Sequence, residues 1–293
     1  MAGHPWAAIV CFASSVVALA HGFSHIAVGN ERSAGLGNGV EWEGVEVNHQ
    51  WDKAFAFERP AHAYLERYCM GTVSYFSALG PLWDVQVALL FSNLCPKHLP
   101  LIISCNDPQG PCASRWCGLC SKCAFVAAVL GAFFPVAQVR AIFGDDPFEG
   151  GALVGHLDLL AGLGPEAAAD DRHTVAVVAA LPAPARADCK VLTEPWKPLE
   201  CVGGPDETRL ALRLVEERYR RERRRLPSFF TAARRAALLR PESGGSGVAG
   251  ALDLTLLEDW GEEHLLPTWL EGTVRACLAE AVGALKSDLS QAE

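Results

Sequence analysis

The longest apolar run of the chain comes first, from Pro5 to Ala20, broken only by Ser14 and Ser15 and free of charge. It is shorter than the roughly 20 residues a membrane span needs. No Lys or Arg precedes it, since the first is Arg32, so it lacks the basic start of a signal peptide. The run predicts a buried helix over 5–21. Ser24 to Val28 is short and apolar and predicts a strand that stops at Gly29-Asn30. The polar loop Asn30 to Ala34 follows, then a turn at Gly35, Gly37 and Gly39. That turn is not a dinucleotide fingerprint, because its required last glycine is Val40.

Helical patterning returns over Glu58–Cys69 and more clearly over Leu82–Leu94, where Leu82, Val85, Leu89 and Leu90 share a face. Pro100 to Ser104 predicts a second short strand ending at Cys105. Buried helices are predicted over Ala124–Phe134 and Phe148–Leu160, the latter closed by Gly162 and Gly164. Val175–Leu181 is a short apolar run, and 180–198 holds four prolines and reads as a loop. Asp206–Leu226 predicts a long helix whose Glu216–Arg225 stretch has six Arg and three Glu. A solvated face with pairs such as Glu217–Arg221 explains it, with a phosphate-binding patch as the alternative. Pro241–Gly250 is a flexible linker. The tail from Ala251 holds two short helices split at Pro267. There is no internal repeat.

Composition narrows the classes. At 293 residues, half of them hydrophobic, the chain can bury a large core. A net charge of −9 and a pI near 5.5 exclude an overall nucleic-acid footprint. Eleven cysteines, an odd and mostly scattered set, point to a reducing compartment. Five of them fall within Cys105–Cys123: Cys105, Cys112, Cys117, Cys120 and Cys123. Two residues between thiolates let one turn present both to a single ion, and structural zinc takes four ligands. Cys117, Cys120 and Cys123 supply three. Cys105 is the simplest fourth, with Cys112 as its competitor. A redox role is disfavoured because no βαβ pattern surrounds the motif.

Three further clusters carry chemistry. Asn30-Glu31-Arg32-Ser33 follows a strand, where open α/β sheets bind ligands. Val47 to Lys53, with Phe57-Glu58, gathers amide, imidazole, ammonium and carboxylate groups. The third is Lys197 to Gly203, which contains Cys201.

Together with Tyr75–Leu82 and Cys117–Phe125, these segments resemble the UDP-N-acetylmuramoyl-L-alanyl-L-glutamate epimerases of peptidoglycan precursor synthesis. The resemblance covers about 3–140 and returns at about 194–214. It implies an ATP- and Mg²⁺-dependent isomerase. The terminal L-glutamate of the nucleotide-sugar peptide UDP-MurNAc-L-Ala-L-Glu is adenylated at a carboxylate, releasing pyrophosphate. Its Cα proton then moves to the opposite face, giving D-glutamate. Adenylation removes a negative charge and acidifies that proton, and the transfer calls for bases tuned near neutrality.

The matching motifs imply roles for Asn30, Glu31, Arg32, Ser33, Asn48, Gln50 and Lys53 at the substrate or nucleotide. Asn106, beside Cys105, would border the same pocket. Arg32 offers a bidentate fork for a phosphate or carboxylate. His49 is the most natural proton-transfer group, given its ordinary pKa of about 6.5. Glu58 and Cys201 are the other acid/base choices. The family's Gly-rich nucleotide loop is absent from this sequence, which suggests that the chain begins midway through the family fold. A separate or missing amino-terminal ATP-binding half would supply the loop.

The expected fold is α/β: a short, mainly parallel sheet covered by helices, a cysteine-rich zinc knuckle and a helical C-terminal region. The expected divisions are a body over 1–164 with the knuckle at 105–123, an insertion at 165–193, and a motif plus Arg-rich helix at 194–240. The linker (241–250) and the helical tail (251–293) complete them. No nucleic acid and no membrane are expected as partners. The setting would be cytoplasmic, or plastid stroma in a eukaryote. The rival expectation is a non-catalytic, zinc-stabilised binding or scaffold protein derived from the same family.

Overall fold

The computed structural model describes residues 5–105, 116–151, 153–163, 189–191, 201–239 and 252–291. It is α/β, with mostly helical content and short strands. Helix α1 (Trp6–His21) occupies the first apolar run, but it is not the buried helix expected there: only Cys11, Ser15 and Ala18 are buried. It stops at Gly22, which takes a left-handed φ of 73° and donates its N–H to the Ala18 carbonyl. Strand β1 (His25–Val28) follows. It pairs in parallel with β4 (Ser74–Ser77), His25 opposite Ser74 and Val28 opposite Ser77. Helix α2 (Phe55–Tyr68) lies in the connection between them. Its Phe57, Ala61 and Leu65 pack with Tyr75 of β4 and Cys11 of α1 in a small core.

A second, antiparallel sheet has β2 (Val40–Trp42) between β3 (Val45–Glu46) and β5 (Cys189–Val191). Glu43 and Gly44 join β2 to β3 with φ of 51° and 78°. Positive φ at both central residues is the geometry tight hairpins need. The sheet content is therefore parallel in one pair and antiparallel in the other three strands.

The main core forms around α4 (Ser121–Phe133), which is buried on nearly every side and packs against α7 (Pro205–Arg221). Helices α3 (Asp84–Leu94), α6 (Val154–Leu160) and α10 (Thr268–Ser290) close around this pair. A buried carboxylate anchors α7: Glu207 accepts from Ser33 Oγ (2.7 Å), Gly204 N (2.8 Å) and Val85 N (3.2 Å). Burial pushes its pKa up. Among the described residues no helix is long and apolar enough to cross a membrane.

Several expectations are corrected. Pro100–Ser104 forms no strand. A 3-10 turn over Pro96–Leu101 leads into irregular chain instead, with prolines at 96 and 100 withholding ladder donors. The helix expected from Phe148 begins only at Val154, because Gly150 takes a φ of 93°. The Arg-rich helix ends at Arg221, just before Arg223 at φ 53°. Part of the stretch read as loop over 180–198 is β5. The second tail helix is not short but spans 23 residues, and a single turn, α9 (Thr255–Glu258), precedes it. Strands β2, β3 and β4 and helices α5 (Val136–Phe143) and α8 (Ala232–Leu238) escaped the sequence reading. Their apolar runs are too short to show a period. Val175–Leu181, Cys112, Asn106 and the linker at 241–250 lie outside the described residues.

Candidate functional site

The ends of β1 and β4 set the site. In a parallel pair both strands point their carboxyl ends the same way, so the loops after Val28 and Ser77 meet. The Ser77 hydroxyl ties them, donating to the Asn30 carbonyl at 2.5 Å. A cavity of about 150 Å³ opens there. Asn30, Glu31, Arg32, Lys53 and Glu58 line it, with Gly80 from the loop after β4 and Gly261, Glu262 and Glu263 from the tail. Five of the residues singled out in the sequence thus share one pocket.

Glu58 is its buried carboxylate, only 4% exposed. Oε1 accepts from the Ser77 N–H at 3.1 Å. Burial pushes its pKa above the usual carboxylate range, partly offset by backbone hydrogen bonds and by His62. Arg32 lies over the Trp83 ring at 4.5 Å and donates from Nη1 to Asp259 Oδ2 at 2.6 Å. Trp83 Nε1 donates to the same oxygen at 3.0 Å. Gln86 Nε2 holds the Leu257 and Asp259 carbonyls at 3.1 and 2.7 Å, and Gly261 N donates to Pro81 O at 2.9 Å. These bonds seat the tail as one wall of the cavity. A Cβ on Gly261 would lie 3.1 Å from Pro81 Cα and 3.2 Å from Arg32 Cδ, so glycine permits the close approach.

Other expected residues sit elsewhere. Ser33 is buried and serves Glu207. Asn48 bridges the loop, donating to Ala34 O (2.7 Å) and accepting from Gln50 N (2.8 Å). Gln50 is buried. His49 is exposed, with Nδ1 2.9 Å from Asn38 Oδ1, and does not line the cavity. Cys201 does not line it either, but reaches its wall through Lys53, whose Nζ donates to Cys201 Sγ at 3.7 Å. The Cys201 carbonyl accepts from Lys122 Nζ, beside the cysteine cluster. The sequence offered no signal for Glu262 and Glu263. Gly80 lay within a motif already noted.

The cluster itself gathers Cys105, Cys117, Cys120 and Cys123, with all four sulfurs within 4.8 Å of one another. Cys105 Sγ lies 4.0 Å from Cys120 Sγ, and Cys117 Sγ lies 3.6 Å from Cys123 Sγ. Gly118, at φ 66°, turns the chain after Cys117, whose sulfur accepts from Leu119 N at 3.4 Å. Cys120 caps α4, accepting from Cys123 N. The Cys120 sulfur, then burial, pushes the Cys123 thiol up, and burial does the same to Cys117. Four sulfurs at this spacing could hold one metal ion.

A model described as the MurL N-terminal domain matches residues 1–78, and one described as the MurL C-terminal domain matches 101–193. Together they span more than half of the chain. The chain belongs to the MurL family. The UDP-N-acetyl-alpha-D-muramoyl-L-alanyl-L-glutamate epimerase of Xanthomonas oryzae pv. oryzae is 30% identical over 208 residues, covering 69% of this chain and 39% of its own length. The proteins of the same name from a Micromonospora species and from Salinispora tropica are 31% and 30% identical, each covering 73% of this chain and 42% and 41% of their own lengths. The chain therefore spans about two fifths of the length of the curated relatives it matches. No solved structure matches it. Asn30 to Glu58 fall in the N-terminal MurL match and the cysteine cluster in the C-terminal one, whereas Gly80, Cys201 and the 261–263 wall lie outside both.

Proposed function

We propose that this MurL chain is part of an ATP-dependent epimerase that converts the terminal L-glutamate of UDP-MurNAc-L-Ala-L-Glu to D-glutamate. The observation that carries the reading is a buried, pKa-raised carboxylate, Glu58, in a cavity with Lys53 and Arg32 at the carboxyl ends of parallel strands. Glu58 is the proton-transfer group of this proposal. A carboxylate whose pKa burial has raised is a stronger base toward an activated Cα–H than an ordinary carboxylate. Lys53 offsets charge developing on the activated substrate. Cys201, which lies behind Lys53 and off the cavity lining, holds the Lys53 ammonium and is not assigned a proton.

Arg32 is assigned to a substrate carboxylate or phosphate. Its present partner, Asp259, is a removable competitor: the two side chains are 34% and 41% exposed, and such a pair is worth only about 0–1 kcal/mol. Carboxylate activation needs a phosphate-binding loop, and no Gly-rich loop of that kind occurs in this sequence. No residue of this chain is therefore assigned to ATP or its Mg²⁺, and the loop falls to an ATP-binding half beyond this sequence.

The four cysteines are assigned a structural zinc. A tetrahedral ion with bonds of about 2.3 Å to sulfur spaces its ligands by about 3.8 Å. The 3.6 and 4.0 Å separations bracket that value. When bound, zinc closes all four positions with thiolates and so supplies stability rather than Lewis-acid chemistry.

One observation favours the scaffold reading: Ser33 and Arg32 of the Asn-Glu-Arg-Ser motif are both engaged within the chain. A turnover assay decides between the two. The purified chain is supplied with UDP-MurNAc-L-Ala-L-Glu, ATP and Mg²⁺, alone and with an ATP-binding half, and the glutamate is analysed for chirality. D-glutamate with pyrophosphate supports the epimerase. No turnover in either mixture supports the scaffold.

A further inference from the structure

Helix α1 is the surface that the chemistry leaves unexplained. Only Cys11, Ser15 and Ala18 of its 16 residues are buried, a narrow stripe at spacings of four and three. The rest turns apolar side chains outward: Trp6 is 68% exposed, Val16 67% and Val17 52%. Residues 6–20 carry no charge. The patch continues onto α2, where Phe12 meets Tyr64 edge-on at 5.6 Å. A contiguous apolar face of this kind marks an interaction site.

Strand β1 adds a second observation. Among the described residues it pairs only with β4. The far side of β4 is taken by α2, through Glu58 on Ser77 N and His62 Nδ1 on Tyr75 O at 3.1 Å. Among the described residues the open edge of the pair is therefore that of β1, and α1 packs against this strand. Parallel sheets belong to larger sheets with both faces covered, and two strands alone are marginal.

We infer that α1 and the outer edge of β1 form one docking surface for an α/β polypeptide that adds a parallel strand beside β1 and covers α1. The strand edge selects a polypeptide, and the uncharged helix selects an apolar counterface. The curated relatives hold about three fifths of their length beyond what this chain matches, which is polypeptide of a size to fill such a surface. A lipid surface fits less well, because helices that lie on membranes carry a basic polar face and α1 has none. The inference does not rest on the proton-transfer assignment, so binding and turnover can fail separately.

The test mixes the full chain with the part of the Xanthomonas oryzae epimerase outside its 208-residue match. Light scattering after size exclusion reads the stoichiometry, and hydrogen exchange reads the surface. A one-to-one complex with slowed exchange over 6–28 is expected. Val16→Glu with Val17→Glu, both at exposed positions, should weaken it at least tenfold without changing the melting of the chain alone. Four results overturn the inference: no complex, a complex leaving 6–28 unprotected, α1 already protected in the isolated chain, or a homodimer through this face. Binding only to phosphatidylcholine–phosphatidylglycerol vesicles overturns it as well.

Discussion

At the scale of single residues, Glu58 is where function and stability pull apart. Its unfolded pKa is near 4.3, and burial raises the folded one. Folding therefore favours the protonated form. The stability this group contributes is complete below its unfolded pKa and is lost as pH rises through the raised value. Glu58→Gln keeps an oxygen for the Ser77 N–H while removing the charge. Its melting temperature relative to the parent should rise between pH 4 and pH 8, in thermal scans across that range. Arg32→Lys loses the bidentate fork. It should weaken turnover by roughly tenfold or more through KM, with little loss of stability given the exposure of the Asp259 pair. Unchanged KM would remove Arg32 from the substrate.

At the scale of elements, α4 and α7 hold the molecule together. Gly131 lets them approach: a Cβ there would lie 3.0 Å from Val215 Cγ2 and 3.1 Å from Phe148. Gly131→Ala should cost about 1–3 kcal/mol by overpacking, measured by denaturant unfolding. Glu207→Ala strands the Ser33, Gly204 and Val85 donors in the core. It should cost about 3 kcal/mol or more on the same measurement. The spans of α1, α3 and α4 were legible in the sequence, α1 and α4 as unbroken apolar runs and α3 from its apolar face, whereas α7 stops at Arg221 rather than Leu226 and α10 is far longer than expected. The short β4 and the β2–β3 hairpin were not legible, since strands of two to four residues carry no period. The Arg-rich stretch carries ion pairs of the expected kind, but Arg220 is the partner of both Glu216 and Glu217, Glu222 pairs with Arg224, and Glu216 also holds Arg235. Within the site, the strand-end loop and the cysteine spacing were local signals and were readable. The Glu262–Glu263 wall comes from some 200 residues away in sequence, where no local pattern could announce it.

At the scale of the molecule, the cysteine cluster and the cavity are linked through Lys122, Cys201 and Lys53. Loss of a metal held by the four cysteines should therefore loosen both. One zinc per chain is expected by elemental analysis, and chelation or Cys120→Ser should lower the melting temperature by several degrees. A metal-free chain of unchanged melting would reduce the cluster to four packed thiols. The central claim is that Glu58, in the cavity at the ends of β1 and β4, moves the Cα proton. The most direct measurement is the rate of D-glutamate formation by Glu58→Gln against the parent chain, each supplied with the same ATP-binding half. A loss of about 10²- to 10⁴-fold with the fold intact is the predicted result. A variant that turns over at the parental rate would contradict the account.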